Sequence, residues 1–275
     1  PPTPPTATAT TEIYTYTESS AASDVFKRQV SASGSSSVDL SIIIENLPIY
    51  FTGLKNTIIL VSISLALGLL LALPLAILRN YGSPMVQLPI RAFVYFFRGT
   101  PLLVQMFLIY YGFGQFDLIK ESILWPFFRE AYFCALFAFT LNTAAYTTEI
   151  LRGAIKATPH GEIEAAMAAG MSRYLMVRRI ILPSAFRRAL PAYSNEIIFM
   201  LHGSSLASVI TIIDITGAAR IINSRFYSPY EAFLTAALVY MAITFLIVFL
   251  VKKLEVRWFA HLQPQTTQKA IDTPP

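Results

Sequence analysis

The stretch Asn56–Leu78, NTIILVSISLALGLLLALPLAIL, contains 23 residues and no charged side chain. A helix that crosses the hydrocarbon core of a bilayer needs about 20 mostly apolar residues, within a range of about 17 to 25. Lys55 and Arg79 bracket the stretch, so a charge stands at each end of the apolar run. The stretch therefore predicts a membrane-spanning helix over about residues 56–78.

Four further runs repeat this pattern. Uncharged runs of 17 to 20 residues lie at Gly99–Phe116, Ala131–Thr148, Ile197–Ile213 and Ala232–Val251. With their apolar neighbours they predict spans at about residues 92–116, 131–150, 194–214 and 231–251. A buried core helix is the alternative for any single run, but a helix satisfies its own backbone in lipid and five such runs favour spans. We therefore predict an all-α integral membrane protein with five transmembrane helices.

The composition of the 275 residues agrees with this prediction. Hydrophobic residues make up 55% of the chain and charged residues 13%, about half the share that an ordinary soluble domain carries. Cys134 is the single cysteine, so the chain cannot form an internal disulfide. These numbers exclude a soluble globular domain, a largely disordered chain and a disulfide scaffold.

The basic residues orient the predicted bundle. If five helices span the membrane, 14 of the 21 basic residues lie on the side that holds residues 152–190 and the C-terminus. Positive charge accumulates on the cytoplasmic side of membrane proteins. We therefore predict a cytoplasmic C-terminus and an N-terminus outside. The net charge of +5 then reflects topology, and no nucleic-acid partner is expected.

The ends of the chain differ from its middle. Residues 1–37 begin PPTPPTATATT and lack apolar periodicity, so we predict disorder there and in residues 263–275. Residues 38–52 are predicted to form an interfacial helix that breaks near Pro48. Residues 53–262 are predicted to form the transmembrane domain.

The connection between the third and fourth spans, residues 152–190, is longer than usual helix–helix loops. Pro159 suits a helix start, and Gly170 can end that helix or permit a tight turn. Met171–Ile181 can form a second helix before Pro183 stops it. The pattern predicts a helix–turn–helix elbow on the cytoplasmic side. An interfacial elbow held by arginine–lipid contacts is the alternative.

The same connection contains Glu164-Ala165-Ala166, then Gly170, then Ile180-x-Leu182-Pro183, which is the pattern EAA-x3-G-x9-I-x-L-P. With these residues the chain resembles ABC-type importer permeases. The blocks Phe97–Gly112, Leu141–Ala166 and Leu190–Ser208 extend the likeness to the polar amino acid permeases, in particular those for basic amino acids and opines. The resemblance covers about residues 41–261, and residues 1–37 fall outside it.

The resemblance implies a type I ABC importer permease fold in a bacterial inner membrane. It implies an elbow that seats in a groove of a cytoplasmic ATPase through Gly161, Glu162, Glu164, Ala165, Ala166, Gly170, Ile180, Leu182 and Pro183. The implied partners are a second permease subunit, expected as a heterodimer, two ATPase subunits and a periplasmic amino-acid-binding protein. The implied substrate is a polar, basic amino acid such as histidine, lysine, arginine or ornithine, or an opine.

Polar and ionisable residues in the spans are candidates for the substrate path, because such groups usually face a bundle interior or cavity. The candidates are Thr100, Asn142, Glu149, Asn195, Glu196 and His202. Simpler roles compete for three charged residues. Glu149 can pair with Arg152 three residues later, Glu196 can stabilise a helix N-terminus, and Arg98 can snorkel or fix a helix bend.

Motifs for catalysis do not occur in the sequence. It contains no G-x-x-x-x-G-K-[ST], HExxH or G-x-S-x-G motif, so we expect no ATPase or hydrolase activity, no catalytic residues, no metal site and no cofactor. An intramembrane enzyme is therefore disfavoured. A self-contained secondary transporter or channel stays open as the alternative, although the chain has no internal inverted repeat.

Overall fold

The computed structural model describes residues 40–259, and all regular elements in that range are helical. The predictions for residues 1–37 and 263–275 lie outside the described residues. The twelve α-helices of this range are α1 Leu40–Glu45, α2 Leu47–Tyr81, α3 Pro84–Gly99, α4 Leu102–Phe107, α5 Asp117–Lys120, α6 Trp125–Phe128, α7 Ala131–Lys156, α8 His160–Ala168, α9 Arg173–Met176, α10 Leu182–Gly203, α11 Ile215–Phe226 and α12 Pro229–Phe259. Wider or tighter helical turns continue α4, α9 and α10 over Leu108–Gly112 and Phe113–Gln115, Val177–Ile181, and Ser204–Ile210.

The close pairing of α2 with α7 forms the centre of the bundle. A Cβ atom on Gly68 of α2 would lie 2.2 Å from Cγ2 of Thr143 and 3.3 Å from the backbone nitrogen of Ala144. Ala72 and Ala144 are fully buried. Small residues allow helices to approach closely where packing, rather than the hydrophobic effect, holds them together. The separation of α2 and α7 therefore depends on the missing side chain at position 68.

Helix α7 has the length of a span but not its apolar composition. Leu47–Tyr81 and Pro229–Trp258 are the two helices of residues 40–259 that are long and apolar enough to cross a membrane, and two bent helix pairs raise the number to four. Helix α7 is 26 residues long but is not among them. Its buried face carries Thr140, Asn142, Thr143 and Thr147. These polar side chains lower the hydropathy of α7 while pointing away from its exposed surface.

The predicted span 92–116 is broken in the structure. Helix α3 ends at Gly99, and Leu102–Gln115 continues at 106° to it. Thr100 between them has extended backbone, with φ −115° and ψ 144°. Pro101 explains this conformation, because a proline disfavours helical geometry in the residue before it. A single continuous helix over 92–116 is therefore not formed.

The predicted span 194–214 begins earlier and ends differently. Helix α10 starts at Leu182, tightens into a 3₁₀ stretch over Ser204–Ile210, and meets α11 at a bend of 45°. Asp214 caps α11 by accepting a hydrogen bond from the backbone N–H of Gly217 at 2.7 Å. A side-chain cap of this kind satisfies a backbone donor that the first helical turn leaves free.

The predicted helix break near Pro48 lies at Asn46, between α1 and α2. Helix α1 ends at Glu45 and α2 already begins at Leu47, so Pro48 lies in the first turn of α2. A proline is well tolerated there because the backbone N–H groups of the first turn make no hydrogen bond within the helix. The first span is consequently the C-terminal part of one long helix.

Candidate functional site

A cavity of about 500 Å³, lined by both polar and apolar side chains, lies where the break between α3 and α4 faces α7 and α10. Its lining includes three residues that the sequence predicts for the substrate path, Thr100, Asn142 and Glu196. Arg98 and Tyr146 line the same cavity. Its volume falls within the range of small-molecule sites, about 300 to 1,000 Å³.

The cavity holds one positive and one negative side chain. The guanidinium of Arg98 lies over the ring of Tyr146, 5.2 Å from the ring centroid, which is within the range of a cation–π contact. Glu196 on α10 is 6% exposed and lines the same cavity as Arg98. The cavity therefore presents both charges to a molecule that enters it.

Gln105 holds the helix break that shapes this cavity. Its Nε2 lies 2.8 Å from the carbonyl oxygen of Phe97 and 2.9 Å from that of Thr100. Pro101 has no N–H to give to the Phe97 carbonyl four residues earlier, so the side-chain amide replaces the missing donor. The Nδ2 of Asn142 in turn donates to Oε1 of Gln105 at 3.0 Å. This network links the break to α7, and it uses Asn142 as a structural partner as well as a cavity residue.

Glu149 does not line the cavity. One of its carboxylate oxygens pairs with Nη1 of Arg79 at the end of α2, and the other accepts from Nη2 and Nε of Arg152 at 2.5 and 2.9 Å. The sequence reasoning allowed the pair with Arg152. The link to Arg79 was not predicted because the two residues lie 70 positions apart. Glu149 thus ties the end of α2 to α7.

Asn195 and His202 lie apart from Glu196. Asn195 faces a separate cavity of about 280 Å³ against α12. Nε2 of His202 lies 3.2 Å from Oγ1 of Thr244, also on α12. Successive helical residues point about 100° apart, so Asn195 and Glu196 cannot share one face of α10. Asn195 and Glu196 therefore line different cavities of this chain, and the place of Asn195 in the substrate path stays a prediction.

Arg98 and Tyr146 are polar cavity residues that the sequence does not predict for the substrate path. Gln105 does not line the cavity but holds the helix break beside it. Snorkelling and a role in the helix bend are the simpler roles predicted for Arg98, and in the structure its side chain lines the cavity from the last turn of α3. Gln105 offered a signal, since it is an amide within an uncharged run and is 2% exposed. Residues 40–259 contain no cluster of three His, Cys, Asp or Glu side chains that could hold a metal ion.

The predicted elbow contains one short helix with two different faces. Gly161, Glu162, Glu164 and Ala165 of α8 are exposed, whereas Ala166 is 3% exposed. Ala166 packs in a cluster with Leu151, Ile155 and Met176 among others. The buried alanine anchors α8 to the bundle, and the remaining motif residues of α8 face outward.

The turn after α8 is made by Gly170, whose φ is +73°. Its N–H donates to the Met167 carbonyl at 2.9 Å, and the N–H of Met171 donates to the Ala166 carbonyl at 3.1 Å. Such bonds satisfy carbonyls that the end of a helix leaves free. The exposed Gly170 is the one glycine with positive φ among residues 40–259.

The second part of the elbow does not stop at Pro183. A widened π-helical stretch over Val177–Ile181, which contains Ile180, leads directly into α10 at Leu182. Pro183 lies in the first turn of α10. Proline has no N–H to donate to the preceding turn, and the wider π-helical turn before it allows the helix to continue without that hydrogen bond. The expected helix end at Pro183 is therefore replaced by a junction that couples the elbow rigidly to α10.

Three kinds of comparison agree with these features. Residues 64–259 match the family model described as binding-protein-dependent transport system inner membrane component. The nopaline transport system permease protein of Agrobacterium fabrum is 45% identical over 240 residues, 86% of this chain and 100% of the relative. The histidine/lysine/arginine/ornithine transport system permease protein of Escherichia coli is 48% identical over 218 residues, 79% of this chain and 92% of the relative.

Solved structures show the same fold. A crystal structure of an amino acid ABC transporter with histidines matches with a TM-score of 0.72 and 33% identity, covering 80% of this chain and 99% of that one. An inward-facing methionine ABC transporter matches with a TM-score of 0.63 at 18% identity, covering 75% and 94%. The chain belongs to the family of binding-protein-dependent transport system inner membrane components.

Proposed function

We propose that this chain is the permease subunit of an ATP-driven importer and forms half of the translocation path for a polar, basic amino acid. The family and the two relatives support import of amino acids or opines. The observation that carries the substrate class is the cavity shared by Arg98 and Glu196. The self-contained secondary transporter is not favoured, since the family works with a binding protein.

The proposal assigns a separate task to each charge in the cavity. An amino acid in transit carries an α-carboxylate and an α-ammonium, and a basic one carries a second positive group. Arg98 pairs with the α-carboxylate, which every amino acid shares. Glu196 pairs with the positive side chain, because a buried carboxylate gains most from a cationic partner. Asn142 and Thr100 add polar contacts within the same cavity.

The topology proposed for this chain has five spans, with the N-terminus outside and the C-terminus in the cytoplasm. Helices α2 and α12 supply two spans and the bent pairs supply two more. Helix α7 supplies the fifth, since its 26 residues extend about 39 Å and its polar side chains point inward. The excess of basic residues on one side supports the orientation.

The partners follow from the half path and the exposed elbow. We assign to the complex a second, related permease, two ATPases below and a periplasmic binding protein above. Gly161, Glu162, Glu164 and Ala165 form the outward face of α8 that seats in the ATPase. The continuous junction from the elbow into α10 would transmit a tilt of the elbow to Glu196 on the same helix. ATP binding would thereby shift the population between inward-open and outward-open cavities.

Uptake by the reconstituted complex tests the substrate assignment. With partner subunits in proteoliposomes, Glu196→Gln should lower lysine and arginine uptake about tenfold while glutamine uptake changes little. A tenfold loss is about 1.4 kcal/mol, close to the lower end of the range of about 1.5 to 3 kcal/mol for a hydrogen bond to a charged group. Arg98→Gln should lower uptake of all three to a similar extent.

Glu149→Gln provides the matched control, because it makes the same chemical change at a carboxylate that is held by two arginines outside the cavity. Its effect should be the same for every substrate. Equal loss of lysine, arginine and glutamine uptake in Glu196→Gln would contradict the assignment of Glu196 to the cationic side chain.

A further inference from the structure

A further cavity lies where the 3₁₀ continuation of α10 meets α11 and the start of α12. It has a volume of about 620 Å³ and a lining that is both polar and apolar. Its polar residues are Ser208, Thr211, Arg220, Asn223 and Ser224. None of them lines the cavity shared by Arg98 and Glu196, so the two cavities are separate sites.

In the proposed topology this cavity lies at the periplasmic boundary of the membrane. From Leu182, where the elbow ends, to Ser208 the helix and its 3₁₀ continuation extend about 40 Å, more than the roughly 30 Å of the hydrocarbon core. Phe233, the contribution of α12 to the lining, comes two residues after Glu231, at the start of the uncharged run that ends at Val251. Both observations place the cavity at the end of the bundle remote from the elbow, where a periplasmic protein can reach it.

Arg220 gives the cavity its charge. It is the one charged residue among the described residues that line the cavity, and it is exposed. Its Nη1 donates to the Ser208 carbonyl at 3.1 Å, which orients the guanidinium. None of the ion pairs within residues 40–259 includes Arg220. A guanidinium carries five N–H donors, so the bond to Ser208 leaves donors for a ligand.

The backbone at the rim of the cavity is held in an unusual conformation. Thr211 has a φ of +74°, in the left-handed region that β-branched residues rarely adopt. Nδ2 of Asn56 on α2 donates to the Ile213 carbonyl at 2.8 Å, and a Cβ atom on Gly53 would lie 2.5 Å from the Asp214 carbonyl oxygen. Close contacts with α2 therefore fix the turn. A site on a fixed backbone loses little conformational entropy when a partner binds.

The lining suits an isolated carboxylate better than the other anions at this boundary. The planar fork of Arg220 matches two carboxylate oxygens, and the hydroxyl and amide groups beside it add neutral donors. A free amino acid or a zwitterionic phospholipid would bring an ammonium group as well, and no carboxylate of the described residues lines the cavity to receive it. An aspartate or glutamate side chain of a protein brings no such group.

We propose that this cavity receives an acidic side chain of the periplasmic binding protein, which pairs with Arg220. The inference rests on the proposed function, because it requires the importer topology and its binding protein. A binding protein seated here would contact the continuation of α10, the helix that carries Glu196 and begins at the elbow. The site would thereby connect docking outside to the helix that the elbow moves.

Binding of the periplasmic protein to the complete complex in nanodiscs tests the proposal. The probe is the arginine-loaded binding protein that stimulates ATP hydrolysis by the wild-type complex. Arg220→Gln should weaken its binding about tenfold, the effect of losing one hydrogen bond between charged groups. Arg220→Lys should retain part of the affinity, because lysine keeps the charge but not the planar fork. Added salt should weaken binding to the wild type more than to Arg220→Gln, because it screens exposed charge pairs.

Arg225→Gln is the matched control. Arg225 lies five residues later on α11 and is exposed, but it does not line the cavity. The same loss of positive charge at this position should leave the affinity at the wild-type value. Arg220→Glu should weaken binding more than Arg220→Gln does, because two like charges would then meet.

Four results would overturn the proposal. One is equal affinity of the wild type and Arg220→Gln, and another is an equal loss in Arg225→Gln. A third is loss of the second permease from the purified Arg220→Gln complex, which would make the cavity a contact between permeases. The fourth is an effect of Arg220→Gln that occurs with phosphatidylglycerol in the nanodisc and vanishes with phosphatidylcholine alone, which would assign Arg220 to lipid.

The wild-type complex separates this inference from the proposed function. If no periplasmic protein binds to it or stimulates its ATP hydrolysis, the importer function fails and this inference fails with it. If such a protein binds equally well to the wild type and to Arg220→Gln, the importer function stands and this inference alone is wrong.

Discussion

Small residues serve opposite purposes in the α2–α7 pair and in α8. Gly68 and Ala144 are buried in the contact between two helices. A Cβ atom at position 68 would collide with Thr143. Gly161 and Ala165 are as small but exposed, and a Cβ atom on Gly161 would meet nothing within 4 Å. The first group is small because of neighbours in this chain. The second group has no such neighbour here, so its small size points to a partner.

The two groups of small residues should respond differently to substitution. Changes in the α2–α7 pair should lower the stability of the isolated chain. Changes on the outer face of α8 should leave the isolated chain folded and alter its association with the ATPase. Three sets of substitutions test this division, beginning with the one that we expect to lower the free energy of unfolding most.

Gly68→Leu should destabilise the isolated chain by about 3 kcal/mol, the upper part of the range for overpacking a close contact. Thr143 cannot easily move aside, because a β-branched side chain in a helix has one or two favoured rotamers. The free energy of unfolding in mixed detergent micelles measures this loss. Gly153→Leu on α7 is the control, since a Cβ atom there meets nothing within 4 Å. Equal stability of the two variants would show that α2 and α7 are not held at the distance described.

Ala166→Asp and Ala165→Asp form a matched pair on adjacent residues. Ala166 is 3% exposed, and burying an aspartate beside Leu151 and Ile155 should cost about 2 kcal/mol of unfolding free energy. Ala165 is exposed, so the same substitution should leave stability unchanged. It should instead weaken binding of the purified ATPase at least tenfold, because a carboxylate would enter a close contact without a partner.

The two substitutions should have opposite orders of effect on stability and on ATPase association. Ala166→Asp should have a lower free energy of unfolding than Ala165→Asp. In the folded fraction, Ala165→Asp should co-purify less ATPase than Ala166→Asp. If Ala165→Asp binds the ATPase normally, the outer face of α8 is not the docking surface, whatever its resemblance to the family motif.

Sequence reasoning located the helical membrane architecture because charge spacing measures apolar length directly. It predicted Glu196, Asn142 and Thr100 for the substrate path, and the structure brings these three side chains to the lining of one cavity. It did not separate Asn195 from Glu196, which line different cavities, because the face that a helix turns to its neighbours depends on packing that charge spacing does not reveal. It also missed the Arg79–Glu149 contact, which joins residues that only the pairing of α2 with α7 brings together.

The helix breaks show a different limit. Pro101 signalled a bend, but the angle of 106° depends on Gln105 replacing a lost backbone donor eight residues from Phe97. Pro183 signalled a helix end, but a widened turn absorbed it. In both places the proline perturbs the helix as expected from its missing N–H. A neighbouring side chain or turn then decides whether the helix bends or continues. Sequence alone therefore indicates where a helix is perturbed and not how the chain accommodates the perturbation.

Gly170 carries the smallest expected effect and the sharpest test of the comparison. Its φ of +73° should cost an alanine about 1 kcal/mol, so hydrogen exchange in α8 of the isolated chain should speed up roughly fivefold in Gly170→Ala. Asparagine tolerates this conformation better, so Gly170→Asn should change exchange less. A Cβ atom at position 170 meets nothing within 4 Å in this chain, and size therefore has no effect until a partner is present.

Binding of the ATPase should reverse that order. If the partner packs closely against the turn, the larger asparagine should weaken association more than alanine does, even though it disturbs the free turn less. If the order of the two variants is the same with and without the ATPase, glycine at position 170 is required only for its backbone conformation. In that case glycine at position 170, like Gly68, would be required by the structure of this chain itself and not by a partner.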